Sequence, residues 1–140
     1  MGTKRHSICE GNGIPISLCL TGANVHDINV LGDMITEIIV DRPLYLETFV
    51  NLCLDKGYKS RDSEELIYEN MMRSHIPEKG IAEVVKDPKK RPRRWSIERT
   101  FSWFNRYRRL LIRWEKKSEN YEALVHIACA VITLSKLILG

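Results

Sequence analysis

Thr48-Phe49-Val50-Asn51-Leu52-Cys53-Leu54-Asp55-Lys56-Gly57-Tyr58 is the stretch on which the reading of the fold turns. Its first seven residues are short and largely apolar, without clean alternation of polar and apolar positions. Such a run, stopped by Asp55-Lys56-Gly57-Tyr58, reads as a strand covered on both faces, which belongs to a layered α/β sheet. Asp55 then stands just past the strand's end, where α/β sheets present chemical groups to solvent. The plainer alternative is that Asp55 opens a turn ahead of Gly57, and these residues alone leave both readings open.

Ahead of this strand lies a hairpin. Thr3 to Glu10, the turn Gly11-Asn12-Gly13, and Ile14 to Thr21 form two arms over residues 3–21. In the second arm Ile14, Ile16, Leu18 and Leu20 alternate with Pro15, Ser17, Cys19 and Thr21, the pattern of a half-buried strand. Pro15 suggests an edge position or the strand's first residue. A helix over 27–40 follows, with Asp27 as its N-cap and Ile28, Leu31, Ile35 and Ile38 at helical spacing.

Beyond Tyr58 the chain predicts a helix over 62–73, opened by Asp62 and Glu65 at capping-box spacing. Ser74 to Pro77 reads as a further short strand, and 80–94 as a polar, proline-containing, basic connector. Two long helices, 95–117 and 119–139, close the sequence. Together these elements describe one α/β domain over residues 1–140.

At 44% hydrophobic and 29% charged residues, the composition is that of an ordinary soluble globular protein. Cys9, Cys19, Cys53 and Cys129 are scattered without a CxxC pair, and three of them lie in apolar stretches, so reduced core cysteines are expected. The four histidines are equally dispersed, giving a zinc site little support. Met1 to Glu10 is polar and basic, so no secretory leader is expected. His126, Thr133, Ser135 and Lys136 interrupt the apolar segment from Tyr121 to Leu139, which reads as a buried helix and not a membrane span.

The net charge of +4 hides an asymmetry. From Lys86 to Lys117 there are thirteen Lys and Arg against Asp87, Glu98 and Glu115, a local net of +10 in an otherwise acidic chain. A solvated face is the bland explanation, and a polyanion such as nucleic acid is the sharp one.

Glu98 is the acid at the centre of that basic block. The helix carrying it has an apolar stripe of Ile97, Phe101, Phe104 and Leu111, while Glu98, Ser102, Asn105 and Arg109 fall about 100° around the axis. That places Glu98 at the solvent edge of the core, although an acid near a helix N-terminus is also favoured by the macrodipole alone. Phosphodiester cleavage needs carboxylates for Mg²⁺ and cations for phosphates. Arg94, Arg99, Arg106, Arg109 and Arg113 provide the second requirement, with Trp95, Trp103, Tyr107 and Trp114 interleaved among them.

At these residues the sequence resembles the DDE transposases of bacterial insertion sequences, in particular the insertion-sequence-five type. Five blocks in order over some 110 residues carry the resemblance. They are Gly2-Thr3-Lys4-Arg5-His6 with Gly13-Ile14-Pro15-Ile16; Thr21-Gly22-Ala23-Asn24-Val25-His26-Asp27; Asp55-Lys56-Gly57-Tyr58; His75-Ile76-Pro77; and Glu98-Arg99-Thr100-Phe101-Ser102-Trp103 with Arg106-Tyr107-Arg108-Arg109-Leu110. Arg94 fills the family's Arg position ahead of the Glu, whereas Arg91 and Asn105 stand where the family has an aromatic and a lysine.

The resemblance implies an RNase H-like fold, with three acids holding two divalent ions, Mg²⁺ or Mn²⁺, at a DNA-cutting site. It makes Asp55 and Glu98 catalytic metal ligands. Arg94, Arg99, Arg106, Arg109, Lys56, Lys4 and Arg5 become contacts to double-stranded DNA of transposon ends and target. It also implies a cytoplasmic, nucleoid-associated bacterial protein with no membrane contact.

In the family the first acid lies on a strand preceding the hairpin, so this chain reads as an N-terminally truncated domain lacking that strand. A downstream reading frame, a truncated gene and a decayed copy all fit. The chain is expected to be inactive alone, with an upstream transposase half or self-association as its protein partner. The alternative is a non-catalytic DNA-binding or regulatory remnant.

Overall fold

Gly13 takes a backbone φ of +89°, a left-handed turn conformation that costs glycine nothing, and it closes the hairpin. Glu10 holds the same turn from the other side, its carboxylate accepting from the Asn12 and Ile14 amides at 2.7 and 3.1 Å. The two arms, β1 (Thr3–Cys9) and β2 (Pro15–Gly22), pair antiparallel with Thr3 opposite Gly22 and an irregularity between Ile8 and Cys9. Pro15 is the first residue of β2, whose only partner among the described residues is β1, so the missing proline N–H falls at the strand's start.

The computed structural model describes residues 2–40, 49–76 and 94–139. Of the connector expected over 80–94, residues 80–93, with Arg91, lie outside the described residues, as do Thr48 and Pro77, and Arg94 belongs instead to the helix that follows.

The hairpin is not half-solvated, as its alternation predicts, but covered on both faces. Ile8, Ile16 and Cys19 pack with Val30, Leu31, Met34, Ile35, Ile67 and Met72. Leu18 and Leu20 pack with Phe104, Leu110, Tyr121, Val125, Ala128 and Ile132. The small, buried Ser17 lets the nominally polar face join the core.

The helix expected over 27–40 is shorter. A 3-10 turn (Asp27–Val30) leads into α1 (Leu31–Thr36), and Ile39 donates its amide to the Ile16 carbonyl at 3.1 Å, drawing the chain out of the helix towards the hairpin. Asp27 does not cap it. His26 occupies the cap position, and Asp27 faces Lys4 Nζ at 3.1 Å instead.

The run expected as a strand buried on both faces becomes β3 (Val50–Cys53), and it is mostly exposed, with Val50 at 41%. It pairs in parallel with β4 (Met72–His75) and, among the described residues, with no other strand. Apolar composition alone misled here, because burial also requires a neighbour on each side. Between them α2 (Arg61–Glu69) is capped by Ser60, whose hydroxyl accepts from the Ser63 amide at 3.1 Å, and not by Asp62. It ends before residue 73 because Met71, at φ 57°, reverses the chain into β4.

The long helix expected over 95–117 is two helices, α3 (Arg94–Asn105) and α4 (Arg108–Leu111). The last amides of α3 tighten to bonds three residues back, Arg106 to Trp103 and Tyr107 to Phe104, and Tyr107 becomes extended. The break turns Leu110 into the core in place of Leu111, which is exposed. The final helix, α5 (Ser118–Leu139), forms as expected but is buried along one stripe only: Tyr121, Val125, Ala128 and Ile132. Ile127, Val131, Leu134, Leu137 and Ile138 face outward. By length and composition it is long and apolar enough to cross a membrane, but its buried stripe forms half of the second core.

The hairpin is thus the middle layer of an α/β fold, with α1 and α2 on one side and α3 and α5 on the other. All four cysteines are free, and Cys53 is exposed where a core position was expected.

Candidate active site

Two buried hydroxyls on the inner face of α3 set the site. Ser96 Oγ donates to the Gly11 carbonyl at 3.0 Å and Thr100 Oγ1 to the Gly13 carbonyl at 2.5 Å, joining residues 85 and 87 positions apart. Thr100 is wholly buried. A Cβ on Gly13 would stand 2.9 Å from the Ser96 carbonyl, so glycine also permits the close approach. These bonds pin the first half of α3 onto the hairpin turn and leave Arg94 and Glu98, one turn apart, facing away from it.

They face a cleft of about 910 Å³ between β1 and β3. Asp55, Arg94 and Glu98 all line it. The Asp55 carboxylate caps the short helix behind it, accepting from the Lys56 amide at 2.7 Å. The same oxygen accepts from Arg94 Nη2 at 3.1 Å, so the guanidinium bridges from α3 to the end of β3. The structure therefore brings the two sequence-predicted acids to one cleft. Among the described residues no group of three His, Cys, Asp or Glu stands close enough to hold a metal ion.

The predicted cations separate into two groups. Lys4 is tied to Asp27 and to the Val25 carbonyl at 2.8 Å. Arg5 stacks against Phe101 and Phe104 and donates to Asn105 Oδ1 at 3.3 Å. Arg109 pairs with the largely buried Glu115 at 2.6 Å, and the break after α3 takes it off the Glu98 stripe. These three stitch elements together. Arg99, 4.6 Å over the Trp95 ring, and Arg106 and Lys56 are exposed.

Several cleft residues escape sequence reasoning. His75 and Asn51 join across β3 and β4 at 3.2 Å and line its wall. Tyr58 also lines it, and burial, then Asp27 and Asp55, push its phenol up to about 12. His6 Nε2 lies 2.8 Å from Thr21 Oγ1, and burial lowers its pKa. His6, Tyr58 and His75 fall inside the blocks quoted above, but nothing in those blocks assigned them to the cleft, and the hydroxyls at 96 and 100, spaced i, i+4, were the signal for the docking of α3.

An α/β layer fold with two carboxylates and an arginine at the mouth of one cleft fits a DDE-type catalytic domain, and the comparison of sequences agrees. The transposase DDE domain family matches residues 1–133, and the chain belongs to that family, which serves DNA transposition by insertion sequences. It is 32% identical over 142 residues to a Burkholderia cepacia protein assigned as a transposase for insertion sequence element IS402. That alignment takes in 94% of this chain but 62% of the relative, so the chain spans under two thirds of the curated protein it matches. No solved structure matches it.

Proposed function

We propose that this chain forms the greater part of an RNase H-like catalytic domain that cuts and joins DNA phosphodiesters at insertion-sequence ends. The observation that carries the reading is that Asp55 and Glu98, distant in sequence, line the same cleft, with Arg94 bonded to the first and one turn ahead of the second.

Two exposed carboxylates at a cleft mouth fit a hard divalent cation, because Mg²⁺ is commonly held by one or two carboxylates with the rest of its shell from water and substrate phosphate. Asp55 and Glu98 would hold Mg²⁺, or Mn²⁺ in its place. Such an ion, when bound, supplies Lewis-acid activation of water or a DNA 3′-hydroxyl for attack at phosphorus. Arg94 neutralises Asp55 in the free protein and is placed to turn to a phosphate when a cation takes over that carboxylate. Arg99, Arg106 and Lys56 are exposed and serve the duplex backbone. Lys4, Arg5 and Arg109 act mainly by holding the fold together.

In this reading a third carboxylate comes from polypeptide outside these 140 residues, and the chain alone binds DNA without efficient cleavage. The test is an assay on a transposon-end duplex with Mg²⁺. The isolated chain should bind and leave the duplex intact, and cutting that survives Asp55→Ala would overturn the assignment.

A further inference from the structure

One stripe of α5, formed by Tyr121, Val125, Ala128 and Ile132, enters the second core. About 150° around the same axis the helix carries a second apolar stripe. Ala123, Ile127, Ala130, Leu134 and Leu137 run along it, with Val131 and Ile138 beside them, and all seven are exposed. Exposure of the larger ones rises from 43% at Val131 to 77% at Leu137. The steps from 123 to 127, 130, 134 and 137 alternate between four and three residues, which is the period of a seam between two paired helices. No Asp, Glu, Lys or Arg lies on this seam. Glu122 and Lys136 fall well round the axis from it, and the Lys136 ammonium sits 5.2 Å over the Trp103 ring, drawn towards the core side. A helix lying on a lipid surface carries large side chains along its apolar face and basic groups at its borders. Here two alanines interrupt the apolar face, and the single lysine is turned inward.

We propose that this seam packs against the same seam of a second copy, the two α5 helices running antiparallel about a two-fold axis at Ala130. The seam is small towards its N-terminal end, at Ala123, and large towards its C-terminal end, at Leu134, Leu137 and Ile138. Antiparallel pairing sets Ala123 against the partner's Leu137 and Ile127 against the partner's Leu134, so bulk meets space along the whole length. Parallel pairing would set leucine on leucine at one end and alanine on alanine at the other, leaving a gap. An unrelated partner would require no such match of the seam with itself. The antiparallel arrangement also places each helix N-terminus beside the other's C-terminus, where the helix dipoles attract. Pairing would take roughly 1,000 Å² of the two surfaces out of water, the lower bound of a specific interface, which sets a reversible dimer with a Kd in the micromolar range.

Sedimentation equilibrium of the 140-residue chain, without metal or DNA, tests the pairing. The parent should distribute between monomer and dimer. Ile127→Lys and Leu134→Glu both alter exposed positions, so each should leave the melting temperature of the monomer unchanged. Each alone buries an unpaired charge in the dimer and should weaken association at least a hundredfold. Mixed together, the two variants should pair again to within about tenfold of the parent, because only the antiparallel arrangement sets residue 127 of one copy against residue 134 of the other. Association that neither substitution weakens would place the contact elsewhere on the molecule and overturn the proposal, as would a chain that stays monomeric at hundreds of micromolar. Weakening in both variants without recovery on mixing would overturn the antiparallel two-fold. A monomer that floats with phosphatidylglycerol vesicles, and loses them on Leu134→Glu, would give the seam to a lipid surface instead. None of these readouts involves cleavage, so the pairing stands or falls apart from the metal assignment.

Discussion

Arg94 reaches across from the first turn of α3 to place its Nη2 3.1 Å from the Asp55 carboxylate, one turn ahead of Glu98. The contact joins residues 39 positions apart that both line the cleft. A cation arriving there would compete with a guanidinium for the same oxygen.

Replacing Arg94 with Gln should therefore raise the affinity of the chain for Mn²⁺, followed by its paramagnetic resonance signal. The pair is well exposed, so the gain should be modest, about two- to fivefold. Asp55→Asn and Glu98→Gln should each weaken binding. Equal affinity in all four proteins would remove the two acids from any metal site.

The latch between α3 and the hairpin turn should be measurable as stability. Thr100→Val leaves the Gly13 carbonyl without its donor in a buried setting and should cost about 1–3 kcal/mol in urea denaturation. Gly13→Ala combines a positive φ with a clash against the Ser96 carbonyl and should cost a similar amount or more, about 1–3 kcal/mol from the backbone alone. Midpoints within error of the parent would show that the turn and helix are not coupled.

Alkaline pH should destabilise the fold in a defined window. Burial pushes the Cys129 thiol up to about 11 and the Tyr58 phenol up to about 12. Both are neutral when protonated, so the unfolded chain releases these protons first and binds fewer of them than the folded one. Stability should be full below the ordinary thiol pKa of 9.0 and fall as pH rises from there towards 12. Thermal melts across that range check the decline, and Cys129→Ala should flatten its lower part. A parent protein whose melting point is constant from pH 8 to 11 would contradict the burial assigned to that thiol.

The two groups of cations should separate in DNA binding. Arg99→Ala and Arg106→Ala should each lower the salt dependence of duplex affinity by about one unit of slope, without changing stability. Arg5→Ala should mainly lower the melting temperature, because its guanidinium packs against Phe101 and Phe104. Titrations at several salt concentrations distinguish the two, and an Arg5 variant with normal stability and a reduced slope would reassign that residue to the DNA contact.

Sequence by itself determined the hairpin, because alternation, a glycine turn and a leading proline are local signals that need no partner. It determined α5, and it singled out Asp55 and Glu98 as the acids of interest, through the blocks around them and the basic setting of Glu98. It overestimated helix lengths at 27–40 and 95–117, where the ends are set by bonds to other elements: Ile39 to Ile16 in one case, the insertion of Tyr107 and Leu110 into the second core in the other. Only the tertiary structure decided which cations tie elements together and which are exposed, and that Ser96 and Thr100 aim α3. It alone decided that the apolar β3 is mostly exposed, since a strand's burial depends on how many neighbours it finds and not on its own composition.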